Sequence, residues 1–102
     1  MIEVMSEQAN VTVQDNPDRS RYEALAESGV VAGFAEYEKQ GGLLIFTHTE
    51  VDDAFEGQGV GSALARGALD QARTTGLPVR PLCPFIKTYI DRHQEYQDLV
   101  DA

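Results

Sequence analysis

The stretch that decides the fold is EGQGVGS, residues 56–62. It follows an apolar segment that ends at Val51 and precedes a helical pattern that ends near Thr75. Its three alternating glycines leave no Cβ in the way of a ligand and allow positive φ angles. A helix that starts here begins with unpaired N–H groups and the positive end of its dipole. Strand, bare turn and helix start together predict an anion site, most often one for phosphate.

Two familiar phosphate-binding motifs do not fit this stretch. The Walker motif requires Lys and then Ser or Thr after its last glycine, whereas Ser62 and Ala63 follow Gly61. The dinucleotide fingerprint requires an acidic residue about 20 positions further on, after a second strand. That region contains Leu77 and Val79 instead. A plain glycine-rich connection between strand and helix therefore stays open as an alternative.

Composition predicts a single soluble domain over residues 1–102, with a flexible tail at 1–10. The net charge of −9 opposes nucleic acid, which is bound by Lys and Arg, and favours a cationic co-substrate. An equal alternative is that this charge only maintains solubility. No apolar run approaches the ~20 residues that span a bilayer, and no signal-peptide pattern is present. We therefore expect a cytoplasmic protein without a membrane partner.

Apolar periodicity predicts five strands and two main helices. The strands are expected at 11–14, 21–26, 30–38, 43–51 and 79–82. The helices are expected at 59–75 and 84–92, with a turn at 15–18 and a short helical turn at 95–100. The fold class is α/β of the α+β kind. It has a twisted, mostly antiparallel five-stranded sheet and a central βαβ unit.

The predicted fourth strand carries two candidate bases next to the glycine stretch. Because successive side chains of a strand alternate between faces, His48 and Glu50 share a face with Phe46, and Thr49 and Val51 lie on the other. A carboxylate or an imidazole can remove the proton of an alkylammonium group, whose pKa is about 10.4. The alternatives are an exposed strand carboxylate and a hydrogen-bonded imidazole, neither of them catalytic.

The start of the second helix contributes a further candidate. Cys83 immediately precedes Pro84 and so lies near the helix N-terminus, a position that favours a nucleophilic thiol. Its alternative role is that of a small buried residue, the usual fate of a free cysteine. As the only cysteine it excludes an internal disulfide and fits a reducing compartment. Phe85, Tyr89 and Ile90 are expected to be the apolar positions of this helix.

The glycine stretch and its surroundings resemble the GNAT superfamily of acetyl-CoA-dependent N-acetyltransferases. The pyrophosphate loop of that superfamily is written Arg/Gln-x-x-Gly-x-Gly/Ala. Gly59 and Gly61 match its glycines, and Glu56 stands at its first position. The segments FTHTEV, CPF, YI and RHQEY look like the minimal branch of the superfamily; they begin at residues 46, 83, 89 and 92. The resemblance covers about residues 22–100.

The resemblance implies that acetyl-CoA is the cofactor and that the fourth and fifth strands splay apart to admit its pantetheine arm. The implied coenzyme A contacts are Thr49, Val51, Gly57, Gln58, Gly59, Val60, Gly61 and Ser62. Among catalytic residues, Glu50 or His48 is the implied general base, and Tyr89 the implied proton donor to the leaving thiolate. Cys83 is the alternative acyl acceptor. No metal is implied, because the acidic residues 52, 53 and 56 form a solvated loop rather than a metal site.

The expected function is the transfer of an acetyl group from acetyl-CoA to an unidentified small-molecule or peptide amine by direct attack in a ternary complex. A ping-pong route through acetylated Cys83 is the less favoured variant. The alternative is a non-catalytic acyl-CoA-binding or sensing module, since the chain lacks the longer N-terminal helices that form the acceptor side in larger members. A homodimer is a further expectation, because a second copy would complete an open acceptor site.

Overall fold

The strands follow one another across a five-stranded sheet in the order of the chain. The computed structural model describes residues 10–101, so the tail predicted at 1–10 lies outside the described residues except for Asn10. The strands are β1 Thr12–Asn16, β2 Arg21–Leu25, β3 Val31–Gln40, β4 Leu43–Val51 and β5 Val79–Pro81. Neighbours from β1 to β4 are antiparallel, and β5 is parallel to β4. The predicted fold class is confirmed.

Two main helices complete the fold, and both match the sequence prediction to within one residue. They are α1 Val60–Thr75 and α2 Pro84–Arg92. Short 3-10 helices cover Pro17–Arg19, Asp53–Phe55 and Gln94–Leu99. None of the helices between residues 10 and 101 has both the length and the apolar character needed to cross a membrane.

β1 continues to Asn16, through part of the turn that the sequence predicts at 15–18. Asp15 pairs with β2, and its carboxylate accepts a hydrogen bond of 2.6 Å from the Tyr37 hydroxyl. These contacts hold the aspartate in the strand despite its preference for turns. The reversal of the chain therefore falls on Pro17–Arg19.

A β-bulge divides β4. Tyr37 pairs with Phe46 and Glu36 pairs with His48, so Thr47 is an extra residue on β4. One extra residue shifts the alternation of side chains by one position. Phe46 therefore packs in the core under the helices, whereas His48 is exposed.

The bulge corrects one prediction for β4. His48 and Glu50 do share a face, but the prediction that this face also carries Phe46 is wrong. It is the sheet face opposite the helices. Thr49 and Val51 take the helix-facing side instead, where Val51 packs against the core. The candidate bases are therefore exposed rather than directed into the core.

α1 packs on the sheet through an apolar stripe. Its buried residues are Val60, Leu64, Ala65, Ala68, Leu69 and Ala72. Gly67 lies against β1, where an added Cβ would be only 2.5 Å from the Cβ of Val13. The missing side chain at Gly67 therefore allows α1 to pack closely on the sheet. This packing fixes α1, and with it the glycine stretch, against the sheet.

The last residues fasten α1 and cover the free edge of β5. Val100 forms a parallel bridge with Val79, on the side of β5 away from β4. The Tyr96 hydroxyl donates a hydrogen bond of 2.6 Å to the Asp70 carboxylate on α1. The C-terminal segment thus joins the helix and the sheet edge that flank the predicted site.

Candidate functional site

The glycine loop, residues 56–62, connects the Asp53–Phe55 turn to α1. Gly57 and Gly59 have φ angles of +81° and +80°, a left-handed conformation that costs other L-residues about 1–2 kcal/mol. Gly59 is the N-cap of α1, and it has no side chain that could bond the first N–H groups of the helix. The loop conformation therefore leaves those donors uncapped.

The donors of the glycine loop have no protein partner. Within residues 10–101, no acceptor bonds the N–H groups of residues 57–62, and the first bonded amide is that of Ala63, 3.0 Å from the Gly59 oxygen. A Cβ on Gly57 would meet no atom within 4 Å, so the outer side of the loop is open. Val60 is buried as a whole residue, so the accessible donors lie on its neighbours in the loop. A row of free N–H groups at a helix start fits a polyanion such as a pyrophosphate.

The pairing of β4 with β5 ends partway along β4, and the region beyond the last pair is called the opening. The two strands pair over only three residues each, and the last pair is Phe46 with Pro81. The Phe46 carbonyl then accepts hydrogen bonds of 3.0 Å from both Leu82 and Cys83, and the chain turns into α2. Because β5 ends there, β4 continues to Val51 without a strand partner on that side. The end of this pairing is consistent with the splay that the sequence resemblance implies.

Cys83 and Thr49 face each other across this opening. The Cys83 thiol lies 3.2 Å from the Thr49 hydroxyl, and Cys83 is only 3% exposed. Cys83 is the N-cap residue of α2, as its position before Pro84 predicts. A contact between the two side chains thus closes the opening at this level, and the thiol has almost no access to solvent.

His48 and Glu50 form a close pair on the open face of the sheet. The His48 Nε2 and Glu50 Oε2 atoms are 2.7 Å apart, and the side chains are 51% and 60% exposed. The His48 ring also lies beside Phe34, with ring centroids 6.3 Å apart. An imidazole held by a carboxylate can accept a proton from a solvent-side amine, directly or through water. The structure therefore brings the two predicted bases together.

Tyr89 lies on α2, and its ring stacks on His93 with centroids 3.8 Å apart. Burial raises the pKa of Tyr89, nearby Arg66 opposes the rise, and Glu95 and Asp70 add to it. The phenol therefore keeps its proton at neutral pH, as a proton donor must. It is also a weaker acid than a thiol, whose ordinary pKa is about 8.5. This chemistry favours a hydrogen-bond donor over a full proton donor.

Cations around the glycine loop are sparse. Arg66 lies one turn into α1, and within the described residues no carboxylate forms an ion pair with it. Asp52 uses its carboxylate to cap the next turn through the Ala54 N–H group, at 2.9 Å. No three His, Cys, Asp or Glu side chains in residues 10–101 are arranged to hold a metal ion. Backbone N–H groups are therefore the main hydrogen-bond donors that the site offers to an anion.

Sequence reasoning missed the position of Phe85. The buried residues of α2 are Ile86 and Ile90, whereas Phe85 is 42% exposed and its ring contacts Gly61. The expectation that Phe85 is an ordinary apolar position of the helix is therefore wrong. The helical spacing of Ile86 and Ile90 is a signal for the buried side. Nothing in the sequence signals the contact with Gly61, which lies 24 positions earlier.

The chain is similar to known proteins in its fold and in its family profile. A search of curated proteins found no match. Among solved structures, the chain resembles a GCN5-like protein from Staphylococcus aureus, determined by NMR. The identity is 22% and the TM-score 0.66, and the match covers 93% of this chain and 92% of the other. The family profile of the GCN5-related N-acetyl-transferases matches residues 21–99. Since this match spans most of the chain, the protein belongs to the GCN5-related N-acetyltransferase family.

Proposed function

We propose that this protein binds acetyl-CoA at the glycine loop and transfers the acetyl group to an amine. The observation that carries the proposal is the position of the unbonded N–H groups of residues 57–62 beside the opening between β4 and β5. The loop suits a pyrophosphate, and the opening suits the extended pantetheine arm of acetyl-CoA. Family membership supports the same general chemistry.

The loop would hold the pyrophosphate through its backbone. A net charge of −9 repels a polyanion at long range, so the attraction has to be local. Hydrogen bonds from N–H groups to charged oxygens contribute about 1.5–3 kcal/mol each. Glu56 is exposed and negatively charged, so it does not attract a phosphate. Arg66, one turn into α1, can face a phosphate. The row of N–H groups therefore offsets the unfavourable charge.

Acetyl-CoA supplies an acetyl thioester, which is the activated group that an amine attacks. The chain positions that group through β4 residues 47–51, which have no strand partner on the β5 side. Thr49 and Val51 line the helix-facing side of this segment. Free backbone donors on an open strand edge are suited to polarising a carbonyl oxygen.

The acceptor amine has to lose a proton before it can attack. Alkylamines have a pKa of about 10.4 and are almost fully protonated at neutral pH. The His48–Glu50 pair is exposed on the open sheet face and can accept this proton, with Glu50 stabilising the imidazolium. We therefore assign the pair as the general base. The acceptor is a small-molecule or peptide amine that approaches from this face.

Direct transfer is preferred over a covalent route. The Cys83 thiol is nearly buried and contacts the Thr49 hydroxyl, with no His or carboxylate hydrogen-bonded to it in the described residues. An activated cysteine nucleophile normally has such a base beside it. Intact mass analysis after incubation with acetyl-CoA is expected to show no acetyl adduct, and Cys83→Ala should stay active. An adduct on Cys83 together with an inactive variant would establish the covalent route instead.

Isothermal titration calorimetry of the whole chain with acetyl-CoA tests the binding step. Saturable binding is expected, and absence of heat at millimolar ligand overturns the proposal. Release of free thiol in the presence of small amines, polyamines and lysine peptides tests the transfer step. Binding without thiol release across this panel would favour a non-catalytic acyl-CoA-binding module.

A further inference from the structure

The three glycines of the loop serve different purposes. Gly57 and Gly59 have positive φ angles that their backbone conformation requires. Gly61 lies in the first turn of α1 and does not have a positive φ. Alanine is a better helix former than glycine, so local conformation gives no reason for a glycine at this position. The reason has to come from a neighbour.

That neighbour is Phe85. A Cβ on Gly61 would lie 2.8 Å from Cζ of the Phe85 ring and 3.4 Å from its Cε1. Real Cβ atoms do not approach other atoms to 2.8 Å, because such a contact is well inside van der Waals distance. The ring of Phe85 therefore occupies the space that a side chain at residue 61 would need.

Phe85 connects the two helix starts that border the site. It is the second residue of α2, directly after Cys83 and Pro84, and its ring reaches the first turn of α1. At 42% exposure it is one of only three large exposed apolar side chains in residues 10–101. An apolar ring in this position fixes the spacing between the unbonded N–H groups of the loop and the opening beside Cys83.

We infer that Phe85 is a positioning residue for acyl-CoA: its ring, seated on the bare Cα of Gly61, holds the glycine loop and the start of α2 at the spacing that one ligand bridges. This inference rests on the proposed function. Pyrophosphate contacts and pantetheine contacts lie on different elements, so the affinity depends on their separation. Loss of the ring leaves both elements folded but free to shift relative to each other.

The test is a double-mutant cycle on affinity for coenzyme A, measured by calorimetry well below the melting temperature. Phe85→Ala is expected to weaken binding about tenfold, a typical size for loss of one packed contact. Phe85→Leu keeps part of the apolar contact without an atom beyond the ring position, and its affinity should fall between those of Phe85→Ala and wild type. Gly61→Ala is expected to weaken binding in the presence of Phe85. The double variant should bind no worse than Phe85→Ala, because the displaced ring is gone.

Gly57→Ala is the matched control for the cycle. Its Cβ would meet nothing within 4 Å, and its cost comes from a φ of +81°. Its effect should therefore add to that of Phe85→Ala rather than be absorbed by it. Melting temperatures of all variants, measured without ligand, separate loss of stability from loss of affinity.

Two results would overturn the inference. One is wild-type affinity in Phe85→Ala, and the other is simple addition of the Gly61→Ala and Phe85→Ala losses. In either case a wild-type chain that binds coenzyme A leaves the proposed function intact. If the wild-type chain does not bind coenzyme A at all, the proposed function and this inference fall together.

Discussion

The two halves of β4 belong to one strand, yet they have opposite environments. Residues 43–46 pair with β3 on one side and, from Leu44 onward, with β5 on the other; Leu44 and Phe46 are fully buried. Residues 48–51 pair with β3 alone, and the exposed pair of candidate bases lies here. The extra residue at the bulge and the end of β5 fall at the same point of the strand.

This difference separates stability from chemistry along a single element. Substitutions in the first half should lower the free energy of unfolding of the protein, because the side chains there are packed on all sides. The second half has open backbone on one edge and solvated side chains on one face, so its alteration should change function more than stability. The predictions below test this separation, from the largest expected effect to the smallest.

Phe46→Ala should cause the largest change in stability, because it deletes a fully buried ring from the first half of β4. The expected loss is about 3–5 kcal/mol in the free energy of unfolding. Urea denaturation measures it, and Thr47→Ala, at the exposed neighbouring position, serves as the control. A loss no greater than that of the control would mean that the first half does not carry the core.

Glu50→Gln should leave stability within about 0.5 kcal/mol of wild type, since the side chain is exposed. It should lower kcat roughly a hundredfold by removing the charge that supports the imidazolium of His48. Thiol release measures kcat, and Glu38→Gln, an exposed carboxylate on β3, is the control. Unchanged turnover in Glu50→Gln would remove the pair from the proposed mechanism.

Gly57→Ala and Gly41→Ala form a matched pair at sites with positive φ and open space around the missing Cβ. Both should destabilise the fold by about 1–2 kcal/mol, because an L-side chain disfavours this conformation. Only the loop variant should bind coenzyme A more weakly, by about tenfold, which corresponds to one lost charge-assisted hydrogen bond. Equal affinities would show that the loop does not hold the ligand.

The pH dependence of stability due to Tyr22 tests the part of the sheet that packs under the helices. Burial, with a smaller effect of Asp15, raises its pKa from 10.0 to about 12, and its ring lies 6.0 Å from that of Phe46. The unfolded state therefore loses the phenolic proton first, and stability falls as pH rises through the window between these values. The expected loss is roughly 1 kcal/mol at about pH 11.

The matching measurement for Tyr22 is urea denaturation across this pH window. Tyr22→Phe removes the titrating group, so its stability should fall less steeply than that of wild type. Parallel curves for the two proteins would mean that Tyr22 titrates alike in the folded and unfolded states.

Much of the architecture could be predicted from local patterns. The bounds of β4 and α2 follow from alternation and from Pro84 at a helix start, and α1 follows from its apolar stripe. The position of the glycine loop directly before α1 was predictable because glycine spacing and a following helical pattern are both visible in the sequence. These features depend on neighbours within a few residues along the chain.

The features that were not predictable depend on contacts between distant residues. Thr47 fits an alternating strand as well as a bulge, so only its pairing with β3 shows that the phase changes there. Asp15 favours a turn, and the hydroxyl of Tyr37, from another strand, keeps it in β1. The ring of Phe85 meets Gly61 only after both helices have packed on the sheet.

The unbonded N–H groups of the glycine loop also allow ligand binding to be followed by amide hydrogen exchange. Amide hydrogens without an acceptor exchange with solvent quickly, whereas those in the middle of a packed helix exchange only when the helix opens. Exchange should therefore be fast at the exposed residues 57, 58 and 62 and slow in the interior of α1, with Ala63 as the first bonded amide. A bound pyrophosphate would slow exchange at the loop and so map the donors one by one, without any substitution.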